Sequence, residues 1–234
     1  MIRRLQPVNV QATPCVLCAL FMFFFSSASA AEPAGIAVDK EKKTVTIDAK
    51  IAPRKLPNLE QIYPIEVVAC FAAPKGEKAH ETVVTIEVAP SEVHRALESL
   101  GLKPGKPADN QNDKPSEGPE LMVYLEFERE GGGIKKVPVS QLLLDIKTGK
   151  PLGKAVKFRF TGSEMVVKDP NKPDEKMYGA DKSGTLIAVF PVTANCVMQS
   201  TMSFKDEKYV KLETDKKQLP KEGTPVKLIL EAGK

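Results

Sequence analysis

The chain has 234 residues, with 34 Lys plus Arg against 30 Asp plus Glu, four Cys and no Trp. Residues 1–30 read as an export signal, because Arg3 and Arg4 precede an apolar run from Cys15 to Phe25 and Ala28-Ser29-Ala30 fits a cleavage site. The remaining 204 residues carry 32 basic groups, once Arg3 and Arg4 are removed, against 30 acidic ones, too even a balance for a nucleic-acid binder, whose basic excess gathers on one face.

The apolar run spans about eleven residues, short of the roughly 20 that cross a bilayer as a helix, so no membrane span is expected. A lipoprotein box is also not expected, since Cys15 and Cys18 stand at the start of the run rather than its end. The mature chain is therefore read as an exported protein, periplasmic or extracellular and monomeric, with residues 31–234 forming one domain.

In chain order, Gly35–Asp39 and Thr44–Asp48 alternate apolar with polar or small residues around a Lys40-Glu-Lys-Lys43 turn, the pattern of a β-hairpin. Pro53, Pro57 and Pro64 break the chain into an irregular connection. Ile65–Phe71, IEVVACF, is expected to be a central strand, and Thr82–Val88 a second one. The clearest helix runs over Ser91–Leu100: Val93, Ala96, Leu97 and Leu100 recur at i, i+3, i+4 and i+7, Pro90 suits the first turn, and Gly101 stops it.

Lys103–Pro119 holds four prolines and no large apolar residue, which predicts a mobile loop. A hairpin follows over Leu121–Phe127 and Ile134–Val139. Next come a short helix over Gln141–Ile146 capped by Ser140, strands at Ala155–Thr161 and Met165–Lys168, and an Asp169–Asp174 loop. Thr185–Phe190, Tyr209–Leu212 and Val226–Leu230 complete the strands. Hairpins outnumber strand-helix-strand units, so the expected fold is α+β: a mostly antiparallel sheet with one main covering helix and a second short helix.

The residues that could carry chemistry are few. His80-Glu81 opens like a zinc-protease motif, but Val84 stands where the second histidine belongs and the segment reads as a strand. His80, Glu81 and His94, with Cys70 as a further ligand candidate, would make a zinc-like site if the helix folds back on the Thr82 strand. The plainer expectation has His80 and Glu81 tying a turn and His94 pairing with Glu98 one helical turn on. Ser163 lacks the spacing of a nucleophile elbow. Cys70 and Cys196 form a candidate disulfide in an exported chain.

The run Gly76-x-x-x-His80-Glu81-Thr82, then Pro90-Ser91-x-x-His94-x-Ala96-Leu97 and Leu100-Gly101-Leu102-x-Pro104-Gly105, resembles the YdjY-like domain family. Phe160-Thr-Gly-Ser163, Tyr178-Gly-Ala-Asp181 and Gly184-Thr-Leu-Ile187 agree with it. The resemblance implies an exported bacterial protein or lipoprotein and no particular chemistry. An iron-sulfur label sometimes attached to the family needs about four cysteine ligands, and two remain after export, so no cofactor is expected. No nucleophile-base pair or cofactor loop assembles from the sequence. The expected function is that of a non-catalytic domain binding an unknown partner or ligand in the cell envelope, the alternative being a metal-binding protein or metal-dependent enzyme using His80, Glu81 and His94.

Overall fold

The computed structural model describes residues 34–112, 114–153 and 155–233; the expected export signal lies outside them. The strands are β1 (Ile36–Asp39), β2 (Thr44–Ile51), β3 (Val67–Phe71), β4 (Thr82–Ile86), β5 (Glu120–Glu128), β6 (Ile134–Pro138), β7 (Leu143–Asp145), β8 (Phe158–Phe160), β9 (Met165–Asp169), β10 (Lys172–Tyr178), β11 (Thr185–Ala188), β12 (Met198–Ser200), β13 (Leu212–Thr214) and β14 (Pro225–Ala232). The helices are α1 (Pro90–Ser99), α2 (Val139–Leu142), α3 (Gly179–Ser183) and α4 (Phe204–Tyr209), with a 3-10 turn at Ala79–Glu81.

Eight strands close a barrel in the order β2-β14-β5-β8-β12-β11-β3-β4, and β4 returns to β2. Closure depends on β2, whose first half pairs with β1 and whose last residues, Ala49–Ile51, pair with Val84–Ile86 of β4. Its full length pairs with β14 on the opposite edge. The α+β expectation is thus corrected. The fold is mostly β, two of its pairings (β3 with β4, β11 with β12) are parallel, and no main helix covers an open sheet. Period-two alternation identified many of the strands, but the same alternation serves an open sheet and a closed barrel. The deciding contact, β2 to β4, joins residues 33 or more positions apart.

Eight strands leave a lumen just wide enough for side chains to fill. Ile47, Leu228 and Leu125 stand at one level on β2, β14 and β5, with Val45, Leu230 and Val123 at the next, all fully buried or nearly so. Each such side chain contributes about 1.5–3 kcal/mol by leaving water. Asp48, Lys50 and Lys227 alternate onto the exposed face, where a lipid-facing barrel would carry an apolar band. Among the described residues no helix is long and apolar enough to cross a membrane.

The α1 helix forms where its period predicts and buries Val93, Ala96 and Leu97, packing on β2 and α3. Its first turn is capped from a distance: the Ser91 N–H donates to Asp181 of α3 at 2.8 Å. The helix expected over Gln141–Ile146 is only the single turn of α2, because Leu143–Asp145 pairs with β13 and the ladder overrides local preference. The segment expected to be a mobile loop, 103–119, carries bridges from Lys106 to Glu117 and from Asp109 to Lys114. It is tied to β12 by the Ala108 N–H donating to Gln199 and by the Ser116 hydroxyl donating to the Ser200 carbonyl. Backbone hydrogen bonds hold it where apolar burial cannot.

Candidate functional site

Segments distant in sequence meet around His94. Its ring lies edge-on to Phe160 of β8 and to Tyr178 at the end of β10, with centroids 4.9 and 5.4 Å away. Nδ1 is 2.7 Å from the Tyr178 hydroxyl, and that oxygen accepts the Ser163 N–H at 3.0 Å. The hydroxyl and Nδ1 share one hydrogen bond, and the other ring nitrogen, Nε2, faces Glu98 Oε1 at 3.5 Å. Every polar group in this chain, from Ser163 through Tyr178 and His94 to Glu98, then has a partner. Burial, with the Asp181 and Glu98 charges adding to it, pushes the Tyr178 hydroxyl well above its ordinary range, so it stays protonated.

The glycines of the motif are packing positions. Gly162 holds φ +70°, and a Cβ there would stand 2.9 Å from Pro104. A Cβ on Gly105 would stand 2.1 Å from the Glu117 carbonyl oxygen, and the Gly105 N–H donates to the Phe160 carbonyl at 2.9 Å. The Pro104-Gly105 and Phe160-Thr-Gly-Ser163 signatures are therefore two halves of one close backbone crossing beneath His94. Neither forms a phosphate-cradling loop.

Replacing Tyr178 with Phe tests the clasp. The loss strands His94 Nδ1 and the Ser163 N–H, so thermal denaturation should show about 1–3 kcal/mol of destabilisation. The same change in a His94→Ala background should cost less. Equal costs in both backgrounds would show that the pair is not coupled.

His80 lies in a different environment. It sits in the 3-10 turn, edge-on to Tyr63 at 5.1 Å, with Nε2 3.4 Å from Glu81 Oε1. The Lys78 ammonium is 2.7 Å from Glu81 and 2.8 Å from Glu66. One ammonium between two half-desolvated carboxylates leaves an excess negative charge. Burial first, then the Glu81 charge, raise the Glu66 carboxyl above its usual range against the pull of Lys78. Burial opposes the Lys78 charge, but its two carboxylate bonds outweigh this and raise its pKa.

Beside this cluster Arg54, 7% exposed, donates to both Glu213 oxygens at 2.8 and 3.3 Å and to the carbonyls of Tyr63 and His80. It pins the proline-rich connection to β13 and to the 3-10 turn before β4. No sequence signal singled out Arg54, Lys78 or Glu66: Arg54 lies in the proline-broken connection, Lys78 lies at an unspecified position of the Gly76-x-x-x-His80 signature, and Glu66 is the one polar residue of the IEVVACF strand. Tyr178 could have been found, since it opens the Tyr178-Gly-Ala-Asp181 signature.

The structure does not bring His80 and His94 together. His80 is bound up with Tyr63, Glu81 and the Arg54 cluster, and His94 with Phe160, Tyr178 and Glu98. Among the described residues no three His, Cys, Asp or Glu side chains are spaced to hold a metal ion.

Cys70 and Cys196 are both free and buried, in one small cluster with Val67 and Ala188. Cys70 is opposite Thr185 on one edge of β11, while the Val197 N–H bonds the Leu186 carbonyl on the other. A strand thus lies between them, about 9–10 Å at ordinary strand spacing, against an upper limit of about 7 Å between Cα atoms for a disulfide. Burial pushes the Cys70 thiol up and the Cys196 thiol up to about 12. We expect alkylation of the chain lacking residues 1–30 to label neither thiol in the native state and both after denaturation without reductant. Denatured protein that takes no label would establish a bridge.

Fold and site together define a small mixed β-barrel whose signature residues clasp α1 to the strands beneath it. The chain belongs to the YdjY domain family, whose model matches residues 36–231. Searches of curated proteins and of solved structures find no match.

Proposed function

We propose that this protein is a non-catalytic, exported binding domain that engages a partner or ligand in the cell envelope. The observation that supports this reading is the internal commitment of its reactive side chains. His94 is held by Tyr178 and Glu98, His80 packs on Tyr63, Glu81 is taken by Lys78, Ser163 Oγ faces the Ala194 carbonyl, and both thiols are buried. A nucleophile needs an adjacent base and an open approach, and none of these groups combines the two. The apolar run and cleavage site at the N-terminus support export.

The test has two arms. Protein recovered from the envelope fraction without an affinity tag should carry a stoichiometric partner or ligand, read by native mass spectrometry, and should contain no stoichiometric metal. Turnover of any substrate that is abolished by both His80→Ala and His94→Ala would overturn the reading in favour of the enzyme.

A further inference from the structure

We infer that a recess across the ends of neighbouring strands is the binding surface, and that it takes an extended peptide segment carrying Lys or Arg beside aliphatic side chains. The inference rests on the binding-domain reading above and assigns its site and ligand class. The recess has a volume of about 960 Å³ and runs from the end of β4 across β2, β14 and β5 to Ile134 at the start of β6. Four strand spacings make it roughly 19 Å long. About six residues of extended chain span that distance at roughly 3.3 Å each, whereas a compact small molecule would leave most of it wet.

The lining decides the chemistry. Its apolar part includes Ile86, Val88, Phe127, Val226 and Ile134, and Ile134 is 69% exposed. Its charged part is Asp48, Glu87, Glu126 and Glu128 against Lys50 and Lys227. Lys227 pairs with Asp48 and Lys50 with Glu87. The carboxylates of Glu126 and Glu128 are then left with no ion pair or side-chain hydrogen bond among the described residues, and Glu126 stands across from Lys227 and Lys136 in the ladder, both of which pair with other acids.

A neutral or acidic chain laid over this recess would strip water from two carboxylates and offer them no charged partner in return. A segment that sets ammonium or guanidinium groups on Glu126 and Glu128 and an aliphatic group on Ile134, which pairs across from Glu128, offsets that loss and gains apolar burial. The four acids and two bases also attract a basic segment at long range, an effect that salt screens.

The experiment uses two fluorescent hexapeptides, one alternating lysine with leucine and one alternating glutamate with leucine, titrated by anisotropy at low and at physiological salt. The lysine peptide is expected to bind and to weaken with salt, and the glutamate peptide to show no saturable binding. The double variant Glu126→Gln, Glu128→Gln should weaken the lysine peptide by tenfold or more, and Ile134→Ser by several-fold. Glu128 and Ile134 are exposed and Glu126 is half-buried, so circular dichroism should be unchanged and the thermal midpoint should move little. Equal binding of both peptides, or lysine-peptide binding untouched by the variants, would overturn the proposal. If the double variant still recovers the envelope partner, the binding-domain reading survives and the recess assignment fails; a wild-type protein recovered bare would instead fail the reading itself.

Discussion

Replacing Arg54 with Met is expected to lower stability by about 3–5 kcal/mol, the usual cost of stranding one partner of a buried ion pair. In a domain of this size that corresponds to a fall of about 10 °C in the thermal midpoint. The guanidinium is 7% exposed and forks onto both oxygens of Glu213, and its backbone N–H donates to Glu222. Removing the side chain leaves Glu213 half-buried without its cation and frees the carbonyls of Tyr63 and His80. The double replacement Arg54→Met, Glu213→Leu should recover a large part of the loss, because no uncompensated charge remains. A single variant within 1 kcal/mol of the parent would sink this account of Arg54.

The same pair sets a pH dependence. Burial raises the Glu213 carboxyl, but the Arg54 bond, the Thr214 N–H and the Arg54 charge outweigh it and hold it below its ordinary value. A carboxyl depressed in the folded state contributes stability that is present above its unfolded pKa and is lost as pH falls through the folded one. The pair's contribution should therefore persist at neutral pH and disappear in the acid range, below the ordinary carboxylate range. Glu213→Gln should flatten that part of the curve in chemical denaturation.

Phe160→Ala is the second large effect. The ring is fully buried, its residue pairs with Met198 of β12, and the edge of His94 rests on it. Truncation removes the transfer free energy of the ring and leaves a cavity, together about 3–5 kcal/mol, so the thermal midpoint should fall by about 10 °C. The His94 ring also loses the wall that orients it, and its imidazole NMR resonances should shift and broaden. An apolar cavity of this kind stays dry and binds small aromatics, so added benzene should restore part of the midpoint. A loss under 1 kcal/mol would show that the barrel is not packed at this level.

The α1 helix was legible because its period, its Pro90 start and its Gly101 stop are all local. The hairpins of β1 with β2 and of β5 with β6 were legible for the same reason: alternation and turn lie within a few residues of each other. Cys70 and Cys196 show the limit. Composition and export make a bridge a candidate, yet whether two thiols come within reach depends on a strand, β11, that inserts between them. The metal reading of His80, Glu81 and His94 rested on the 3-10 turn and α1 converging, and which partners each histidine packs against is set by long-range contacts.

The chain by itself determined the hairpin strands, the main helix, the charge balance and the family signature, since each is written in neighbouring residues. Barrel closure, the His94 clasp, the Arg54 anchor and the recess depend on contacts between segments tens of residues apart. Those contacts form where shape and hydrogen bonding across the barrel favour them, and no local pattern of side chains encodes which strand edge meets which.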